Sequence, residues 1–146
     1  MKFELATVIS CSPGGCSVVP VAGGPAFDAR YSDLILNRVK IHPGQLVAVD
    51  LEPQVPEVAW RWYPARIVEL SDDRVIVQER ERQLSATRVP GLGTTGNVGD
   101  EVWVTGMEGV WELQDNIQDG KPAHPSLLRE SVFPRITVLL SGSNQA

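Results

Sequence analysis

The sequence predicts an all-β protein of two tandem five-stranded small β-barrels, with a short C-terminal helix and strand behind them. Three observations predict it. Short β-branched runs recur at intervals near ten residues between Gly, Pro, Asp and Ser, the pattern of half-buried strands joined by turns. Runs with helical spacing are scarce. An ordered series of motifs in the first half returns in the second, which marks a repeat.

The repeat begins with Ala6-Thr7-Val8-Ile9-Ser10-Cys11-Ser12, a turn and Val18-Val19-Pro20-Val21, which lie beside Ala65-Arg66-Ile67-Val68-Glu69-Leu70-Ser71, a turn and Val75-Ile76-Val77, an offset of 59 at Ala6 and Ala65. Ala29, in Phe27-Asp28-Ala29-Arg30-Tyr31, then matches Ala86 at 57, and Gly44-Gln45-Leu46-Val47-Ala48-Val49 matches Gly99-Asp100-Glu101-Val102-Trp103-Val104 at 55. Trp60 falls opposite Trp111 at 51. A steadily shrinking offset is what two copies show when the second has shorter loops, because loops tolerate deletion and strands do not.

The first unit, 1–62, holds strands near 4–11, 16–21, 27–31, 45–51 and 58–62; the second, 63–114, holds strands near 64–70, 74–79, 83–88, 100–105 and 109–114. The glycine ahead of each G-x-x-V-x-V strand supplies a turn conformation that other residues resist, and the alternating valines supply one inward face. Five short strands in about fifty residues are marginal as an open sheet, and curling into a barrel removes the exposed edges. Ser32 is placed to cap a helical turn over Ser32-Asp33-Leu34-Ile35-Leu36-Asn37-Arg38, whereas Pro90 to Asn97 is too glycine-rich for helix. The extension, 115–146, turns at Asp119-Gly120. It then suits a short helix from His124 to Ser131, with Pro125 at its start, and ends in a strand from Phe133 to Leu140 whose consecutive apolar residues predict burial on both faces.

This order of ATVISCS, tight turn, V-x-V, a third strand ending in ARY and then PGQLVAV resembles the small β-barrels of the SH3/Tudor-like and OB-like superfamilies, in tandem. A similar layout occurs in barrel domains of phage tail and head-completion proteins. The resemblance spans residues 3–114 and implies a fold. It carries over no functional residues, and the choice between SH3-like and OB-like barrels stays open.

Val58 to Leu70, VAWRWYPARIVEL, is then the junction of the two units, joined without a linker. Alternation puts Trp60 and Trp62 on one face, Arg61 and Tyr63 on the other. Trp60 and Trp111 are expected to be structural aromatics, since rings bury much apolar area at low entropic cost. Trp62 and Tyr63 lack partners in the repeat and are the candidates for a contact surface. Glu79-Arg80-Glu81-Arg82 alternates too, so Arg66, Arg80 and Arg82 are candidates for a basic patch beside those rings.

Thirteen basic and eighteen acidic residues give a net charge of −5, the wrong sign for a protein whose main work is holding a phosphate backbone. Nucleic acid is ranked low as a partner. Cys11 and Cys16 flank a four-residue turn. A disulfide is geometrically open there, but two cysteines in a chain without a secretory signal are expected to be reduced. With His42 and His124 they lack metal-ligand spacing, so no metal and no cofactor are expected. No apolar run reaches the roughly 20 residues that span a bilayer, and a cytoplasmic location, or a place in an intracellularly assembled particle, is the expectation. Each histidine precedes a proline in a turn context, and no catalytic constellation stands out. The expected function is therefore non-catalytic: a structural or assembly protein making protein–protein contacts, including self-association as a homo-oligomer. The alternative is a Tudor/SH3-like adaptor that reads a peptide through an aromatic surface.

Overall fold

The computed structural model describes residues 2–32, 41–72, 74–88, 96–107 and 110–129. Its strands are β1 (Phe3–Ser12), β2 (Gly15–Pro20), β3 (Phe27–Tyr31), β4 (Leu46–Asp50), β5 (Glu57–Leu70), β6 (Arg74–Glu79), β7 (Arg82–Arg88), β8 (Glu101–Met107), β9 (Val110–Gln118) and the short β10 (Lys121–Pro122). The chain divides into two units between Trp62 and Tyr63, so residues 57–62 of β5 serve the first and 63–70 the second.

In the first unit β1 pairs antiparallel with β2, β2 with β3, β4 with β1 and β5 with β4, while β3 and β5 pair in parallel through Arg30–Glu57 and Tyr31–Val58. The pairings β1–β2–β3–β5–β4–β1 return to their start. With β4 beside β1 and β3 two strands on, the antiparallel part has Greek-key order. The second unit repeats this with 63–70 of β5 in the place of β1: β5–β6–β7–β9–β8–β5, its parallel step joining β7 to β9 through Ala86–Trp111, Thr87–Glu112 and Arg88–Leu113.

The two rings agree residue for residue. Ala6 pairs with Val47 and Ala65 with Val102; Cys16 pairs with Ala29 and Val75 with Ala86; Val49 pairs with Val58 and Val104 with Leu113. Even the irregularities match. The β1–β2 ladder slips between Val8 and Ser10 and the β5–β6 ladder between Ile67 and Glu69; the β4–β5 ladder slips between Ala48 and Val49 and the β8–β9 ladder between Trp103 and Val104. A slip leaves one residue unpaired and bends its strand, so both rings bend at the same places.

The interiors follow from this register. Ala6, Val8, Cys16, Val18, Ala29, Val47, Val49 and Val58 form the buried cluster of the first ring, and their counterparts Ala65, Ile67, Val75, Val77, Ala86, Val102, Val104 and Leu113 are buried in the second. Each large aliphatic side chain withdrawn from water contributes about 1.5–3 kcal/mol, so the inward valines stabilise both rings.

The turn into the fourth strand is also duplicated. Gly44 N–H donates to Val8 O at 2.9 Å and Gly99 N–H to Ile67 O at 2.8 Å, and each glycine has positive φ, 91° and 97°. His42 N–H donates to Gln45 Oε1 at 2.6 Å, and Asn97 N–H to Asp100 Oδ2 at 2.9 Å. Glycine adopts this backbone freely, and the polar side chain of the residue after it closes the turn.

Three sequence expectations change. The offset settles at 55 in the fifth strand instead of falling to 51: Val58 matches Leu113, so Trp60 matches Asp115 and Trp111 matches Pro56. The fifth strand of the second ring does not stop at residue 114 but runs to Gln118, and β10 pairs back onto it. The helix expected from His124 is a single 3-10 turn, Pro125–Leu127, the only helical element among the described residues. Pro125 leads it as expected, but Leu128 is already extended, at φ −66° and ψ 141°. The helical turn expected over 32–38 and the strand expected over 133–140 fall on residues outside those described, save Ser32.

Candidate functional site

Strand alternation places Trp60 and Trp62 on one side of β5 and Arg61 and Tyr63 on the other, but every residue from Val58 to Tyr63 is buried. Trp62 is 0% and Tyr63 3% exposed. The expectation of an open aromatic contact surface at Trp62 and Tyr63 is thus corrected: a strand covered on both faces presents no ring to solvent, whichever way its residues alternate. Trp60 and Trp111 are buried as structural aromatics are, and the Arg61 guanidinium lies over the Trp60 ring, 4.9 Å from its centroid. Leu46 stands opposite Trp62 across the ladder to β4.

Tyr63 belongs to a compact cluster in the second unit. Its ring meets Trp111 edge-on, 5.7 Å between centroids at 66°. The Arg82 guanidinium covers both rings, at 5.4 and 5.1 Å from the centroids. Arg82 Nε donates to Glu79 Oε1 at 2.6 Å, and the Glu79 side chain is 3% exposed. Glu79 and Arg82 pair across β6 and β7, which leaves Arg80-Glu81 as a two-residue hairpin loop with Arg80 at φ 56°. Such loops favour positive φ because it matches the strand twist. The loop breaks the alternation expected through Glu79-Arg80-Glu81-Arg82 and sends the two arginines to different places.

Arg80 joins Arg66 in a cleft of about 370 Å³ lined also by Pro64, Ala65, Val68, Gln78 and Glu101. Gln78 and Glu101 are the cross-strand neighbours of Arg66 on either side. Of the expected basic patch, then, Arg66 and Arg80 converge, whereas Arg82 is committed to Glu79 and the two rings. The cleft mixes two cations with a carboxylate, an amide and the apolar side chains of Pro64, Ala65 and Val68.

A second cleft, of about 330 Å³, lies in the first unit between Ser10, Cys11, Cys16, Ser17, Asp28 and Arg30. Arg30 forms an ion pair with Glu57, its neighbour across the parallel step. Both thiols are free, Cys11 exposed and Cys16 buried. Burial pushes the Cys16 thiol up to about 12, with Cys11 and Asp28 adding to the effect. The Tyr31 hydroxyl is raised above its ordinary value, first by burial, then by Cys11, with which it shares a side-chain hydrogen bond. Cys11 Sγ also lies 3.4 Å from Ile41 O.

One polar arrangement was not anticipated from the sequence. Asp115, 0% exposed, accepts from the His124 backbone N–H at 2.5 Å and sits 2.9 Å from His124 Nδ1; its other backbone donor is Asn116 N–H at 2.8 Å. Beside it Gln114 Oε1 accepts from Arg129 N–H at 3.0 Å. These bonds tie the segment carrying the 3-10 turn onto β9. The sequence signal was faint: two polar residues continuing a strand whose first counterpart carries alanine and tryptophan there.

Among the described residues no group of three or more His, Cys, Asp and Glu gathers as a metal site, and no helix is long and apolar enough to cross a membrane. No protein-family model matches the chain, and no curated protein matches it significantly.

Proposed function

We propose that the chain is a non-catalytic assembly protein whose two rings are tandem small β-barrels of OB-like type, mediating protein–protein contacts that include copies of itself. The OB-like reading rests on five strands in Greek-key order with a closing pair. One observation carries the functional reading. At the shared slip between first and second strands, each ring turns a β-branched apolar side chain to water, Ile9 at 49% and Val68 at 38% exposure. Bulges re-aim side chains. A solvent-facing valine or isoleucine at the same bulge of both rings offers an apolar contact twice over. Buried side chains occupy the interiors, which supports a contact on the outer surface.

The test is absolute mass in solution by light scattering on a sizing column across a wide concentration range. A discrete oligomer that Ile9→Glu or Val68→Glu converts to smaller species supports the assembly reading. A monomer at every concentration removes it.

An adaptor is the second reading, favoured by the convergence of Arg66 and Arg80 in one cleft with Pro64, Ala65 and Val68. A monomer that binds an acidic peptide, with binding lost in Arg66→Ala/Arg80→Ala, would establish it. Binding to a nucleic acid that falls steeply with salt would instead identify a phosphate backbone as the ligand.

A further inference from the structure

We propose that Cys11 and Cys16 constitute a reversible thiol–disulfide site that staples the first hairpin when a low-molecular-weight disulfide is present. The two residues are direct partners across the antiparallel β1–β2 ladder, on either side of its turn. Directly opposed residues in such a ladder have Cα atoms roughly 4.5 or 5.5 Å apart, depending on the type of pair, and a disulfide accepts about 4.4–6.8 Å. Opposed residues also point to the same face. In keeping with that, Cys11 and Cys16 line one cleft, and Cys11 acts electrostatically on Cys16.

The second ring is an internal control. The pair in the same register position there is Leu70–Val75, with Val75 buried and Leu70 at the exposed rim, as Cys16 is buried and Cys11 exposed. The fold is therefore served by a plain apolar pair at this place, and packing alone does not call for two thiols. Replacing that pair by cysteines leaves the register intact and adds only the capacity for sulfur chemistry.

The chemistry balances with oxidised glutathione as the two-electron oxidant. The exposed Cys11, as thiolate, attacks one glutathione sulfur; the glutathione S–S bond breaks and one glutathione thiolate leaves. Cys16 then gives up its proton and attacks Cys11 Sγ, the mixed disulfide breaks, and a second glutathione thiolate leaves. Each departing thiolate takes up the proton lost by the attacking cysteine, so two protein thiols become one disulfide and one oxidised glutathione becomes two reduced molecules. The order follows from access: Cys11 meets the oxidant, and Cys16 is shielded from it.

The experiment treats the full chain with excess oxidised glutathione and follows intact mass and free thiols, with Cys16→Val, which installs the residue of the second ring, and Cys11→Ser alongside. The expected result is a wild-type chain that loses both thiols and two hydrogens in mass with no glutathione retained, and regains both thiols with dithiothreitol. Cys16→Val should stop at one retained glutathione, and Cys11→Ser should stay essentially unmodified. A wild-type chain that keeps both thiols, retains glutathione as its stable end product or forms only disulfide-linked dimers overturns the proposal.

Discussion

Asp115 holds His124 at two points, taking its backbone N–H on one carboxylate oxygen and standing 2.9 Å from Nδ1 with the other. The carboxylate is fully buried while most of the imidazole reaches solvent. Hydrogen bonds to a charged group contribute roughly 1.5–3 kcal/mol each, and a buried group left without partners is penalised further. Asp115→Ala should therefore destabilise the second unit by about 2–3 kcal/mol. His124→Ala, which keeps the backbone bond, should cost about 1 kcal/mol. Urea unfolding followed by tryptophan fluorescence ranks the two. Equal losses would mean that the side-chain contact, and not the carboxylate as a whole, carries the tie.

Arg82 bridges a buried carboxylate and two aromatic faces. Removing it in Arg82→Ala strips Glu79 of its Nε donor while leaving that carboxylate buried, a loss of about 1–3 kcal/mol. Arg82→Lys keeps the charge but not the planar stacking or the fixed donor geometry, so its denaturation midpoint should fall between those of the wild type and the alanine variant. A lysine variant as stable as the wild type would show that charge alone matters here.

How far these features were visible in the sequence depends on what kind of interaction sets them. The strand positions were legible because inward valines and the glycines at 44 and 99 are written locally, in alternation and in turn chemistry. The fifth-strand offset was misread because Trp60 and Trp111 served as landmarks. Register is set by the backbone ladder and its slips, and these put Asp115, a residue nothing like tryptophan, at the place of Trp60. Alternation assigned Trp62 and Tyr63 to opposite faces, yet a periodicity of two does not reveal that both residues are buried. Arg80 and Arg82 were parted by a two-residue turn hidden inside an apparently regular charge pattern.

The duplicated turn makes a quantitative claim. Gly44 and Gly99 share positive φ, the same backbone bond to the first strand, and open space where a Cβ would go. An alanine at either place meets no neighbour and suffers only the backbone preference, about 1–2 kcal/mol. Gly44→Ala should lower the stability of the first ring, and Gly99→Ala that of the second, by equal amounts. Hydrogen exchange at Val8 and Ile67, whose amides bond across to the turn, reads each ring separately. A loss at one ring more than twice that at the other would show that the turns are not energetically equivalent.

The buried Cys16 thiol predicts how the first ring responds to alkali. Its pKa rises from an ordinary value of 9.0 to about 12, mainly through burial. Between those values the folded chain keeps a proton that the unfolded chain releases, so the unfolded state is favoured as pH climbs. The contribution is complete below pH 9 and is lost progressively toward pH 12. Tyr31, also raised, acts in the same direction at the upper end of that range, while Arg30, lining the same cleft, stays paired with Glu57. Urea midpoints measured under reducing conditions from pH 7 to 11 should decline for the wild type beyond pH 9, and less steeply for Cys16→Val, which has no thiol to ionise. Parallel curves for the two proteins would mean that Cys16 is already reached by water in the folded chain.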